Sequence, residues 1–286
     1  MASYELVLND GTKMSQIAFG LYLVKKEDCG AVVEAALAAG YRHFDGAAFY
    51  DNEKEAGASL TAECFYTSKV WTTDKTFEDA VASMRRSFAE IGRPIDLALV
   101  HWPVPGAHVE QYRALVHCRD ELKIVKRVGL SNYTPEDYEE LAASGAMVGA
   151  PPCVNQIEVS PFLYRKECVD YFQSKGLVVQ AFKPLQRGAA LGNETVGALA
   201  SKLGVSAAQV LIRWGVQKRL NVCVKSANPG RIRANLDVAG FELSEDDVAA
   251  LDALTTPAAI DAWRAHYEKR RAGTAAPWGD GPRPAA

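Results

Sequence analysis

Short apolar runs recur along this chain without the clean in-and-out alternation of strands that have one wet face. Eight stand out: "IAFG", "RHFD", "FYTSKV", "IDLALVH", "IVKRVGLS", "CVNQIE", "LVVQAF" and "NVCVKS". Such runs suit strands of a parallel sheet buried on both faces. Between several of them lie segments with helix start and stop signals. Thr76 and Asp79 form a capping-box pattern ahead of a stretch that stops at Gly92. Thr134, Pro135 and Gly145 bracket another, and Ser206–Gln209 and Ser244–Asp247 repeat the device. Strand–helix alternation repeated eight times predicts an α/β fold, a closed (β/α)₈ TIM barrel. Asn9-Asp10-Gly11 between two short runs predicts an N-terminal β-hairpin closing the barrel floor. No linker divides the chain, so residues 1–286 are expected to form a single domain, with 255–286 an irregular tail over the barrel mouth.

Composition adds mainly exclusions. A net charge of −3 offers no field to recruit nucleic acid or an anionic membrane, so neither is expected as a partner. The basic run "EKRRAG" reads as a solvated helix end. Six scattered cysteines form neither a CxxC pair nor a zinc-spaced set, which predicts reduced core thiols and no metal. With no secretory or transit pattern at the start and no 18-residue apolar stretch, a cytoplasmic location is expected.

The polar residues fall where barrel enzymes build their sites, at the C-terminal ends of strands. In chain order these are Asp45, Lys69, His101, Ser131-Asn132, Asn155-Gln156 and Lys225-Ser226, with the aromatic Phe182 ending the seventh strand. Tyr50 follows on the loop after the second. A free phenol titrates near 10 and is a weak acid at neutral pH. An ammonium about 4 Å away, at an effective dielectric of about 20, interacts by roughly 4 kcal/mol, enough to draw the phenol down by up to three pH units before desolvation opposes it. Lys69 could supply that charge, Asp45 could orient Lys69, and His101 could hydrogen-bond a carbonyl oxygen. Such a set suits carbonyl reduction, in which hydride reaches carbon while an acid protonates oxygen.

A hydride needs a donor. No GxGxxG follows a strand, "GLSNY" is not a GxSxG elbow, and there is no P-loop. In "VKSANPGRIRANLDV", Lys225, Ser226 and Arg231 cluster where barrels often hold a phosphate, at a helix start after the last strand. Two cations and a hydroxyl favour a phosphate monoester over a bare ribose, and so NADP(H) over NAD(H).

Taken together, "GYRHFDGAAFYDNEKEAG", "SKVW", "DLALVHWP", "VGLSNY", "VNQIEVSPF" and "VKSANPGRIRANL" resemble the motifs of the aldo-keto reductase superfamily, in order and spacing, from about Leu8 to Leu243. The branch resembled is that of xylose reductase, prostaglandin F synthase and diketogluconate reductase. The resemblance implies a monomeric NADPH-dependent reductase of aldehydes and ketones. By it Tyr50 is the general acid, Lys69 and Asp45 tune it, and His101 orients the carbonyl. Ser131, Asn132 and Gln156 would hold the nicotinamide carboxamide, and Phe182 would stack on its ring. Leu185 would lie along the cofactor, while Lys183, a departure from the family pattern, would either reach the pyrophosphate or face solvent. Lys225, Ser226 and Arg231 would grip the 2′-phosphate and Asn235 the adenine. Tyr22, Trp71 and Trp102 would wall the pocket of a small-molecule carbonyl substrate. This chain departs from the family's usual choices at Phe182 (commonly Tyr), Lys183 (commonly small and polar), Val224 (often Pro) and Ala234 (often acidic or amide), and also at Gly46, Ala18 and Ser15.

His43 shares Asp45's side of its strand and reads as structural; His108, His117 and His266 read as surface groups. Two other functions fit parts of the pattern. A lyase could use Lys69 as a Schiff base, which leaves Lys225 and Arg231 unexplained; borohydride trapping discriminates. A non-catalytic nucleotide-binding subunit on the same barrel would bind NADPH without turnover. A metal-dependent hydrolase is disfavoured, since a single strand ends in histidine.

Overall fold

The computed structural model describes residues 4–272. Eight parallel strands close into a barrel: β3 (Ile17–Gly20), β4 (His43–Asp45), β5 (Phe65–Val70), β6 (Leu97–Val100), β7 (Val128–Ser131), β8 (Val154–Glu158), β9 (Val178–Phe182) and β10 (Asn221–Val224), which pairs with both β9 and β3. Every expected strand is present, trimmed by a residue or more at several ends. The hairpin is β1 (Glu5–Val7) with β2 (Lys13–Ser15), paired antiparallel. It plugs the N-terminal end of the barrel: Leu8 and Met14 pack with Leu97, Leu99, Cys153 and Val154, apart from the main core.

The outer layer comprises α1 (Lys26–Ala39), α2 (Glu53–Ser59), α3 (Phe77–Ile91), α4 (His108–Asp120), α5 (Pro135–Ala143), α6 (Lys166–Ser174), α7 (Glu194–Leu203), α8 (Ala207–Gln217), α9 (Pro229–Leu236), α10 (Glu245–Asp252) and α11 (Pro257–Arg271). The three anticipated capping boxes form, at α3, α8 and α10, and the expected Thr134 cap of α5 proves to be a fourth with Asp137, each satisfying otherwise orphaned N–H groups. No single helix among the described residues is long and apolar enough to cross a membrane.

Two expectations fail here. The tail expected to be irregular from Thr255 is helical over Pro257–Arg271; residues 273–286 of it lie outside the described residues. Thr256 caps α11, and the far end is tied down by Asp137 of α5, which accepts from the Tyr267 hydroxyl and pairs with Arg271 at 3.0 Å. His108 is no surface group. It is 1% exposed, 3.2 Å from the Tyr133 hydroxyl and 3.3 Å from Glu140. Its place in the first turn of α4, with Ala107 buried beside it, gives the sequence no distinguishing signal.

All six cysteines are free and buried. Burial pushes the thiols of Cys29 and Cys118 up to about 11 and that of Cys153 to about 12.

Candidate active site

Strand alternation decides which groups meet inside the barrel, because residues two apart on one strand face the same way. His43 and Asp45 of β4 therefore point inward together, as do Thr67 and Lys69 of β5. One layer down, His43 lies 3.0 Å from the Thr67 hydroxyl, and the Asn221 amide of β10 reaches its other ring nitrogen at 3.3 Å. Burial holds this imidazole at about 4, so it is neutral and structural, as its position suggests.

One layer up, at the strand ends, Lys69 is 0% exposed and its ammonium is fully engaged. It donates to both Asp45 carboxylate oxygens (3.0 and 2.9 Å), to the Gly46 carbonyl (2.6 Å) and to the Tyr50 hydroxyl (3.2 Å). Gln156 of β8 donates to the same carboxylate at 2.6 Å. The turn carrying Tyr50 depends on Gly46, because a Cβ there would lie 1.9 Å from the Tyr66 hydroxyl oxygen. Tyr66 and Ser68 in turn donate to the buried Glu53 carboxylate behind the turn, at 3.2 and 2.6 Å, and Ser87 does so at 2.5 Å.

Electrostatics at Tyr50 run opposite to expectation. Burial pushes its phenol well above 10 and the Asp45 carboxylate adds to the rise. The Asp45 carboxylate, bound on both oxygens by Lys69, offsets the ammonium charge that was expected to draw the phenol down. His101 is pushed the other way: burial first, then the charges of Lys69 and Arg270, hold its imidazole well below the ordinary histidine range. A neutral imidazole therefore faces a fully protonated phenol, their ring centroids 6.1 Å apart.

Aromatic rings continue the site outward. Tyr22 lies 5.1 Å from Tyr50, Trp71 lies 4.7 Å from His101, and Phe49 stacks on Trp71 at 4.1 Å. Trp102 is buried and packs on Tyr267 of α11 at 6.2 Å. Phe49 was not anticipated, although an aromatic beside Tyr50 on the same loop was a readable signal. Nor was Cys223, which lines the same cleft as Asp45.

A cleft of about 850 Å³ opens over this centre. At one end it reaches Asp45, Tyr50, Tyr22, Gln156 and Phe182; at the other it is lined by Lys225, Ser226, Arg231 and Asn235. Lys183 and Leu185 lie between, and Lys183 pairs with Glu158 at 2.8 Å. Arg231 lies with its Nε 3.4 Å from the Ser226 hydroxyl; the burial of Lys225, and after it the Arg231 charge, lowers the Lys225 ammonium. Ser131 and Asn132 are buried at the end of β7 and form a brace. Ser131 donates to the Gln156 carbonyl at 3.0 Å, and the Asn132 amide donates to the His101 carbonyl at 3.0 Å. The structure thus gathers Asp45, Tyr50, Lys69, His101 and Gln156 at one end of the cleft and Lys225, Ser226, Arg231 and Asn235 at the other. Among the described residues no cluster of metal-ligating side chains occurs.

Non-glycine residues with positive φ concentrate on the loops around this mouth: Leu23, Asp51, Asn132, Lys183, Gln186 and Arg187. Such backbone costs free energy that the surrounding structure must offset, and it is commonly found where loops hold ligands.

Comparison with known proteins agrees with this geometry. Residues 16–256 match the model of the aldo/keto reductase family. An aldo-keto reductase of Mycolicibacterium smegmatis is 37% identical over 263 residues, covering 89% of this chain and 94% of that protein. A glyoxal reductase of Bacillus subtilis is 34% identical over 255 residues, covering 86% of this chain and 91% of its own. Among solved structures, a mutant of Gox0644 in complex with NADPH superposes with a TM-score of 0.86 at 33% identity, covering 91% of this chain and 96% of that one. The chain belongs to the aldo/keto reductase family of oxidoreductases.

Proposed function

We propose that this protein uses NADPH to reduce aldehydes and ketones to alcohols, with Tyr50 as the general acid. The observation that carries the reading is the Tyr50 hydroxyl, 3.2 Å from Lys69 and lining a cleft whose far end is cationic. The donor set fits the cofactor. Lys225, Arg231 and Ser226 would take the 2′-phosphate and Asn235 the adenine. The Phe182 ring would face the nicotinamide, with Gln156, Ser131 and Asn132 around its carboxamide and Leu185 and Lys183 along the pyrophosphate. That Gox0644 was solved with NADPH, and that a relative is named a glyoxal reductase, supports the choice of cofactor and reaction.

When bound, the cofactor supplies hydride to the carbonyl carbon. The remaining work falls to the chain. His101, neutral, can donate a hydrogen bond that orients the carbonyl oxygen. As that oxygen becomes an alkoxide it grows more basic than phenolate, and Tyr50 transfers its proton despite holding it tightly. Lys69 already donates to the Tyr50 oxygen and stabilises the phenolate left behind, which is reprotonated from solvent. Tyr22, Trp71 and Trp102 would wall the substrate pocket. The same geometry disfavours a Schiff-base role, because every proton of the buried Lys69 ammonium is already engaged.

Loss of NADPH absorbance with 4-nitrobenzaldehyde tests the reading. Tyr50→Phe should lower kcat by about a hundredfold or more. Equal rates for the two proteins would remove Tyr50 from the chemistry. NADPH binding with no turnover by either, across a panel of carbonyls, would favour a nucleotide-binding subunit.

A further inference from the structure

A second concavity, of about 920 Å³, lies in the helical layer between the starts of α5 and α6 and one face of α11. It shares no lining residue with the active-site cleft. The run expected to be solvated, "EKRRAG", lends it Glu268 and Arg271. Arg165, the residue before α6, lies with its guanidinium 3.7 Å from the ring centroid of Trp263 of α11, and that ring stacks on Tyr267 at 5.2 Å. The other cations of the groove are paired: Lys166 with Asp170, Arg264 with Asp261, and Arg271 with Asp137 and Glu140. Among the described residues Arg165 has no carboxylate partner. It donates to the Cys168 sulfur at 3.4 Å, and its Nε is buried without an acceptor. Glu158, whose charge reaches it, is taken by Lys183 at 2.8 Å.

We propose that this groove is a second ligand site, for small aromatic carboxylates, with Arg165 pairing the carboxylate and Ile260, Tyr171 and Tyr267 enclosing the ring. The site is independent of the carbonyl-reductase reading. Three features favour it. A guanidinium lying flat on an indole keeps its N–H groups in plane and directed past the ring edge, the arrangement in which a carboxylate accepts two at once. A buried charged donor without an acceptor costs free energy that an arriving anion recovers. The apolar side chains beside Arg165 suit an aromatic body rather than a bare mineral anion. Glu136, Glu167 and Glu268, exposed along the rim, oppose a dianion and so restrict the ligand to a single negative charge.

The test titrates benzoate and benzamide, rings of equal size that differ in charge, into the full chain by calorimetry. Wild type should bind benzoate at least about tenfold more tightly than benzamide. Equal affinities overturn the proposal. The preference should vanish in Arg165→Met and shrink in Arg165→Lys, which keeps the charge and loses the fork. A preference that survives intact in Arg165→Met places the benzoate elsewhere and overturns the proposal. Binding should persist when NADPH is present in excess, and displacement by NADPH would put the benzoate in the active-site cleft, which also overturns it. Should Arg165→Met not fold, Trp263→Phe decides. Benzoate must change the tryptophan fluorescence of wild type, and that change must be absent in Trp263→Phe; any other result overturns the proposal.

Discussion

At Gly46 a methyl group would sit 1.9 Å from one side-chain oxygen and 2.6 Å from the ring carbon that bears it, both of Tyr66. Neither can retreat, because Tyr66 is fully buried and tied to Glu53. Gly46→Ala should therefore destabilise the fold by about 1–3 kcal/mol, the usual cost of overpacking, as read by urea unfolding. It should also lower kcat, because the Gly46 carbonyl helps to hold Lys69. A second residue-scale expectation concerns pH. With the His101 imidazole held far down, it is already neutral throughout the range where an ordinary histidine titrates; with the Tyr50 phenol pushed up, that group keeps its proton past its ordinary value. For carbonyl reduction kcat/KM should thus stay level from about pH 6.5 to about pH 10, with no histidine step near 6.5. A step there would mean that His101 ionises in the working enzyme. Tyr50 also shows what single residues in a sequence conceal. Its proximity to Lys69 was readable from strand ends, but the sign of its shift is set first by burial and then by the Asp45 carboxylate, which only the assembled site reveals.

Elements divide into those held by local signals and those held at long range. The capping boxes at α3, α5, α8 and α10 were readable because the cap and its partner lie three residues apart. The barrel strands were readable because burial on both faces leaves continuous apolar runs. Helix α11 was not: its sequence is rich in charge, and its anchor is Asp137, more than a hundred residues earlier. Tyr267 and Trp102 meet for the same reason. At α9 the local signal sufficed. Pro229 follows the Asn228 cap, which accepts from the Arg231 N–H at 3.0 Å, and this sets the Arg231 side chain over Ser226. Lys225→Ala and Arg231→Ala should each raise the KM for NADPH about tenfold or more while changing that for NADH little. Equal changes for both cofactors would detach these residues from the 2′-phosphate.

At the scale of the molecule, the barrel separates stability from chemistry. The hairpin and its small apolar cluster close one end, and the strained loops, cationic subsite and aromatic wall gather at the other. The six thiols are spread around this body: Cys29 in α1, Cys64 before β5, Cys118 in α4, Cys153 before β8, Cys168 in α6 and Cys223 in β10. Cys223 borders the active-site cleft and Cys168 a surface groove, but the other four are sealed from solvent, so their alkylation by iodoacetamide has to wait for the chain to open. In the folded protein labelling of these four should be slow, and digestion followed by mass spectrometry should show them modified at a common rate if the closed barrel opens as one unit. Faster labelling of Cys118, in α4, would mark that sector as the part that opens first. The chain thus carries its own set of clocks, in four sectors of the barrel, and they can be read without adding a probe.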